Sequence, residues 1–292
     1  MPALHAVWIQ GVSMTAALVL LAGIQPSSEQ IKIKASKLRR EGREPRSPIT
    51  ALRALAGLTH LDKLVDIVPF DGNRSRTFSG TGDIKSLDII ASGPRSGVWF
   101  NVVSDKMVDF DRVQRIICGQ VDLTGVTSLR VSSSGPCAVV TEHFAHFHEL
   151  LPFVPSVSTL VLRRSDLRLD STMPFVESTL APRASDSKSC QVPVPRLESL
   201  SIELPVLRMS EKLVEGIRSI SRARARVGHP LRSVTGRNLD EDDGGRDEAL
   251  LVPLSEDGCT IDMARDERWE PLRDIARNPM WLVKNDYWRL YN

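Results

Sequence analysis

Three of the 6 histidines fall in one short stretch, His143, His146 and His148, flanked by Glu142 and Glu149. Imidazole and carboxylate side chains are zinc ligands, and on a helix His143 and His146 would be neighbours, as two ligands require. His148 falls on roughly the opposite side of the wheel from His146, while Glu142 and Glu149 lie near His146 on the outer face. A solvated helix face carrying Glu–His pairs accounts for the same residues more simply. His229, in Gly228-His229-Pro230, has the chemistry of a general base. No G-x-S-x-G elbow accompanies it, and a turn between helix and strand explains both the Gly and the Pro. Ser79-Gly80-Thr81-Gly82 lacks the Lys-Ser/Thr of a phosphate-binding loop. Asp240, Glu241, Asp242 and Asp243 lack the spaced ligands of a calcium loop and read as a solvated charge run. No catalytic, cofactor-binding or metal-ligating residue is therefore expected, and the chain is not expected to be an enzyme. A hydrolase with an unrecognised site around His143–His148 or His229 is the alternative.

Charge narrows the partners. The net charge is +2, unlike the strongly basic balance of a dedicated nucleic-acid binder. Lys32, Lys34, Lys37, Arg39, Arg40, Arg43 and Arg46 form a basic stretch with no aromatic residue among them, so base stacking is unsupported. The expectation there is the outer face of a helix and a linker at Pro45–Pro48. Cys118, Cys137, Cys190 and Cys259 include no C-x-x-C pair, which excludes a zinc ribbon and a thioredoxin-type motif and points to reduced thiols. Residues 14–24 are apolar enough for the core of a secretory signal. Only His5 precedes them where a charged region belongs, and the run is too short to span a bilayer. A buried helix after a strand at residues 4–9 is expected. The alternative is a secreted or membrane-associated protein, in which Asn73-Arg74-Ser75 would be a glycosylation acceptor.

The elements that must position these residues share a layout. An apolar residue, two others, a second apolar residue, one other and a third recur at Leu4-Val7-Ile9, Ile84-Leu87-Ile89, Val126-Leu129-Val131, Val157-Leu160-Leu162 and Leu197-Leu200-Ile202. The last two of each triplet alternate and would face one side of a short strand, with the first in the turn entering it. Gly125, Pro155 and Pro195 stand just before three of these segments and would break whatever helix precedes them. Helical stripes follow several strands: Met107, Phe110, Val113 and Ile117; Val140, Phe144, Phe147 and Leu151; and, after an N-cap at Ser210, Leu213, Ile217 and Ile220, ending near Gly228. The units run roughly 30–42 residues, longer than the 20–29 of a regular leucine-rich repeat, and the asparagine of that consensus is missing. Residues 71–83, 181–195 and 237–248 read as polar loops. Residues 259–263 read as a final strand, and Trp269, Leu272 and Ile275 as a terminal helix. Trp281, Tyr287, Trp288 and Tyr291 would cap an open end.

Residues 126–269 resemble the repeat region of F-box/leucine-rich-repeat-like proteins of mushroom-forming fungi. The resemblance is carried by Val157-Ser158-Thr159-Leu160-Val161-Leu162, by Pro195-Arg196-Leu197-Glu198-Ser199-Leu200-Ser201-Ile202 and by the stretch 222–231, RARARVGHPL. In that family a last long helix ends in an Arg-rich stretch and Gly-His-Pro-Leu. A strand, an acidic loop and a Trp follow, which correspond here to residues 232–234, Asp240–Asp243 and Trp269. The resemblance implies a repeat region that selects a substrate, joined to an F-box that docks on the adaptor of a cullin-type ubiquitin ligase. No Leu-Pro-x-Glu-type F-box start occurs, and the chain opens inside a repeat, as a fragment or a repeat-only relative would.

The expected fold is α/β, an irregular leucine-rich-repeat-like solenoid (a horseshoe) with parallel strands on one face and helices on the other. It would form a single domain over 1–292: N-terminal repeats over 1–70, the clearest repeats over 84–236, an acidic loop over 237–250 and a C-terminal cap over 251–292. The expected function is a protein–protein interaction scaffold, with a substrate protein as partner and the ligase adaptor only where an F-box lies upstream. Neither nucleic acid nor membrane is expected as a partner. The chain is expected to be a monomer in the cytoplasm or nucleus.

Overall fold

The computed structural model describes residues 6–22, 32–39, 63–68, 85–92, 97–104, 118, 121–133, 150–164, 173–184, 190–204, 211–238 and 260–263. The repeated triplets become a repeated structure. Leu123, Val154 and Val194 each open a turn closed three residues later, by the Val126 N–H to the Leu123 carbonyl (3.0 Å), the Val157 N–H to the Val154 carbonyl (3.2 Å) and the Leu197 N–H to the Val194 carbonyl (3.0 Å). A strand follows each turn: β6 (Ser128–Ser133), β7 (Thr159–Arg164) and β10 (Ser199–Leu204). They lie side by side and parallel, with Leu129, Leu160 and Leu200 in one register row and Val131, Leu162 and Ile202 in the next. All six side chains are buried. β11 (Ser233–Asn238) and β12 (Thr260–Met263) extend the parallel array, with Val234 and Ile261 in the row of Leu200.

Successive turns are pinned to one another. The Thr127 carbonyl accepts from the Ser158 and Thr159 N–H groups, at 2.9 and 3.0 Å. The Ser158 carbonyl accepts from Glu198 and Ser199, both at 2.9 Å, and the Glu198 carbonyl from Arg232 and Ser233, at 2.7 and 3.1 Å.

The sheet is larger than the repeats. Its ten strands run in the order β1-β2-β5-β4-β3-β6-β7-β10-β11-β12, where β1 is Ala6–Gln10, β2 Lys32–Arg39, β3 Lys63–Val68, β4 Lys85–Ser92 and β5 Gly97–Ser104. Here two expectations need correction. The Ile84-Leu87-Ile89 triplet does not enter a parallel layer, because β4 pairs antiparallel with both β3 and β5. Only a short connection, residues 93–96, separates β4 from β5, and parallel strands need a crossover far longer than that. The stretch 32–39 is a strand and not the outer face of a helix. Its buried residues are Ile33, Ala35 and Leu38, and they alternate with Lys and Ser except at a register shift between Ala35 and Leu38. That period of two sets a strand, and the bulge restores Leu38 to the core. The loop expected over 181–195 also contains structure: β8 (Arg183–Ala184) and β9 (Cys190–Gln191) form a small antiparallel ribbon.

Helices complete the core. α1 (Met14–Ala22) follows β1 through Gly11, whose φ of +74° suits glycine. Its first turn is capped by Ser13, whose Oγ accepts from the Ala16 N–H at 3.1 Å. Met14, Ala17, Leu18 and Leu21 face inward, and Val19 and Leu20 are exposed. α2 (Met173–Leu180) packs on α3 (Glu211–Arg226). Gly216 lies at that contact, where a Cβ would stand 2.7 Å from Met173 Cε, the movable end of a flexible side chain. Leu213, Val214, Ile217 and Ile220 form the buried stripe of α3, and one continuous cluster joins the buried helix faces to the inward strand residues. The fold is a mixed α/β structure with an extensively parallel sheet. The helices expected over 105–118 and 140–151 and the C-terminal cap from Trp269 to Tyr291 lie largely or wholly outside the described residues, as does the sequon at Asn73.

Two measurements check this account. Leu160 is flanked in its row by Leu129 and Leu200 and is fully buried, so Leu160→Ala is expected to lower the urea-unfolding free energy by about 2–5 kcal/mol. Asp122 directly precedes the first turn, and its Oδ1 accepts from the Thr124 hydroxyl at 2.6 Å and the Thr124 N–H at 3.1 Å. Those two bonds hold its carboxyl below the ordinary value of 3.8. A depressed carboxylate stabilises the fold above its unfolded pKa and ceases to as pH falls through the folded one. Asp122→Ala is therefore expected to be less stable at neutral pH, by less than about 1 kcal/mol at this solvated position. The gap to the parent chain should close below about pH 4 in urea titrations.

Candidate functional site

Strand alternation gives the sheet a second face, opposite the aliphatic rows. On β6, β7, β10 and β11 one row of that face reads Ser128, Thr159, Ser199, Ser233, and the next reads Arg130, Val161, Ser201, Thr235. The hydroxyl row is half-buried, and Ser233 Oγ donates to Ser199 Oγ at 2.9 Å. Towards the strand ends, Glu203 on β10 reaches across β7, where its Oε1 lies 3.7 Å from the Arg130 guanidinium of β6. Glu203 is only 1% exposed. Burial this deep removes water from the carboxylate, so the pair with Arg130 resists screening by salt. On the antiparallel side, Trp99 and Asn101 of β5 share the same face; Trp99 is buried and Asn101 half-buried. Among the described residues this face carries a half-buried row of hydroxyls and a cross-strand ion pair. Neither the Ser199 nor the Ser233 hydroxyl is hydrogen-bonded to a histidine or a carboxylate among the described residues.

A second polar cluster lies inside the fold. The helix α3 ends on Gly228, with φ +81°. The His229 N–H bonds back to the Arg224 carbonyl at 3.0 Å, and the Gly228 N–H to the Ala225 carbonyl at 3.1 Å. This pair of bonds is a Schellman motif, and the glycine is required by the left-handed turn. Arg224, in the last turn, is fully buried. Its guanidinium donates to the carbonyls of Leu180 (3.3 Å), Pro193 (2.9 Å), Val194 (3.0 Å) and Leu197 (3.3 Å). No carboxylate among the described residues pairs with it. The charge is balanced by carbonyl dipoles, one of them at the C-terminal end of α2. Burial lowers the Arg224 pKa from its ordinary value, but an arginine starts so high that it stays protonated. The clamped turn holds Val194 at φ +47°, strained for a β-branched residue. His229 Nδ1 adds a bond to the Pro195 carbonyl of the same turn at 2.9 Å.

The residues singled out from sequence are thus distributed as follows. His229 is tied to a backbone carbonyl and belongs to the turn. Of the Arg-rich stretch, Arg224 points inward, and Arg222 and Arg226 are exposed. Cys118 is buried. His143, His146, His148, Ser79–Gly82, Asp240–Asp243, Cys137 and Cys259 lie outside the described residues. Among the described residues no group of histidine, cysteine and carboxylate side chains is arranged to hold a metal ion. The Arg130–Glu203 pair was missed in the sequence, because nothing in it shows that β6 and β10 flank β7; the one available signal was strand parity, which places Glu203 opposite Ile202.

No family model matches the chain, and neither a curated protein nor a solved structure does. No helix among the described residues is long and apolar enough to cross a membrane.

The clamp yields a direct test. Arg224→Met removes the guanidinium from four carbonyls, of which only that of Val194 is shown to keep another donor, the Leu197 N–H, and is expected to cost about 3 kcal/mol in chemical unfolding. Arg224→Lys places a single ammonium where a planar fork is needed and should recover only part of that loss. Gly228→Ala is expected to cost about 1 kcal/mol through the positive φ alone.

Proposed function

We propose that the chain is a protein–protein interaction scaffold, an irregular leucine-rich-repeat-like solenoid whose binding surface is the outward face of the parallel strands. The observation that carries this reading is the repetition itself. Three turns of the same geometry are pinned carbonyl by carbonyl, and the strands that leave them hold aliphatic residues in register on one side and hydroxyls on the other. A unit of this kind cannot bury its apolar side alone, so neighbours stack, and stacking generates an extended surface in place of a deep pocket. Such a surface suits a protein partner.

The same chain is read as the substrate-recognition repeat region of an F-box-type ubiquitin ligase component. The support is the α3 terminus, where Arg224, Gly228 and His229 each bond or turn the chain at the end of the helix. Association with the ligase adaptor would require an F-box, and no segment of this sequence resembles one. The packing of Met14, Ala17, Leu18 and Leu21 in the core favours a structural role for residues 14–22 over that of a secretory signal.

The test is affinity capture from an extract of the source organism, followed by titration of the purified candidate. A Ser128→Arg/Thr235→Arg variant, crowding the sheet face, is compared with a Glu215→Lys/Arg222→Glu variant on the exposed side of α3. Loss of at least about tenfold in affinity is expected for the first, with little change for the second. A partner lost only with the α3 variant would remove the sheet face from the proposal.

A further inference from the structure

We infer that two copies of this chain join through β1, which pairs antiparallel with β1 of the second copy about a two-fold axis at Trp8. The inference goes beyond the sheet-face reading, does not depend on it, and differs from the monomer expected from sequence. β1 stands at one end of the sheet order, and among the described residues no strand covers its outer edge. The core is open at that end. Val7 and Ile9 head the two inward rows, followed by Ile33 and Val98 in one and by Ala35 and Phe100 in the other. Those four are buried, whereas Val7, Ile9 and Val12 pack against the core and stay half-exposed. α1 follows at the same end and carries no charged residue, and its Val19 and Leu20 are 61% and 54% exposed. One end of the molecule thus combines an open strand edge, unfinished core rows and an uncovered apolar helix face.

The sequence of β1, AVWIQ, favours a second copy as the occupant. An edge strand is a template for another strand, and proteins that keep it free place Lys, Pro or an inward charge there. β1 has none of these. A two-fold axis makes the same patch serve both partners, so the patch must complement itself. With the axis at Trp8, Val7 of each copy lies opposite Ile9 of the other, and alternation puts both on the core side. The half-exposed rows then close on each other. A slip of one residue would set Val7 against Trp8, which belongs to the other face. The axis keeps both inward faces on one side of the joined sheet, so the two α1 helices flank the seam. The opposite end of the sheet serves less well, because β12 carries Asp262. β1 spans about 17 Å, a short seam for a stable interface, so the dimer comes apart on dilution.

The test is analytical ultracentrifugation of the full chain from about 1 to about 200 μM. The average mass is expected to rise from one chain toward two and no further. Amide hydrogen exchange over residues 6–10 should slow at the high concentration, while that over 260–263 stays unchanged. Trp8→Lys sets two ammonium groups opposite each other at the axis and should weaken the dimer by at least about tenfold, as should Trp8→Glu. An equimolar mixture of those two chains should recover the dimer, because Lys then faces Glu. A chain that stays single up to about 200 μM overturns the inference. So does growth beyond two chains with protection at 260–263, which is β1 stacking on β12. Loss of the dimer with Val19→Ser/Leu20→Ser but not with Trp8→Lys would place the contact on the helix and overturn the strand pairing. Should the Trp8 variants lose stability, the parent chain decides alone: exchange over residues 6–10 that is equal at both concentrations overturns the inference.

Discussion

The carbonyls of Thr127, Ser158 and Glu198 each receive two N–H groups from the turn that follows in space. This forked acceptance fixes where every succeeding strand begins. Side chains on a strand alternate, so a slip of one residue would carry Leu160 or Leu200 to the polar face and a hydroxyl to the core. The aliphatic rows, the hydroxyl row and the pairing of Glu203 with Arg130 all inherit their alignment from these bonds. Burial supplies the driving force, at roughly 1.5–3 kcal/mol for each fully enclosed aliphatic side chain. It is indifferent to direction, and the hydrogen bonds select the register.

Arg224 solves a problem that the repeats create. The turn from Pro193 to Leu197 directs its carbonyls at the end of α3, and buried carbonyls must find donors. A guanidinium reaches three of them and the Leu180 carbonyl of α2 from one side chain, which neither a lysine nor a hydroxyl can do. The Schellman ending at Gly228 then returns the chain at once, so that Leu231 enters the core ahead of β11. The Arg-rich stretch with its Gly-His-Pro-Leu ending is, in this light, a joint between layers. It couples α2, the Pro193–Leu197 turn and α3 into one unit.

The first half of the sheet is assembled differently. β3, β4 and β5 fold back on one another before β5 meets β2, so the strand order reverses in the middle of an otherwise parallel array. Hairpin-type connections make local contacts, whereas the layers from β6 to β12 depend on longer excursions between strands. The two halves still share one face of buried aliphatic side chains, because both obey the same period of two.

The sequence alone determined the turns and strands at Val126, Val157 and Leu197, the helix over Leu213–Ile220 and its stop at Gly228. Each is a local matter of apolar period, proline or glycine, and needs no distant partner. It also determined which strand residues face the core, since alternation follows from backbone geometry. Tertiary structure decided the rest. Whether Ile84-Leu87-Ile89 stacks in parallel or folds back in a hairpin depends on which neighbour is free to pair. The stretch Lys32 to Arg39, expected on the outer face of a helix, is a strand paired between β1 and β5. The pairing of Arg130 with Glu203 and the inward turn of Arg224, flanked by exposed Arg222 and Arg226, arise between residues remote along the chain. Such contacts carry no sequence period, because long-range proximity is set by how layers stack and not by spacing along the backbone.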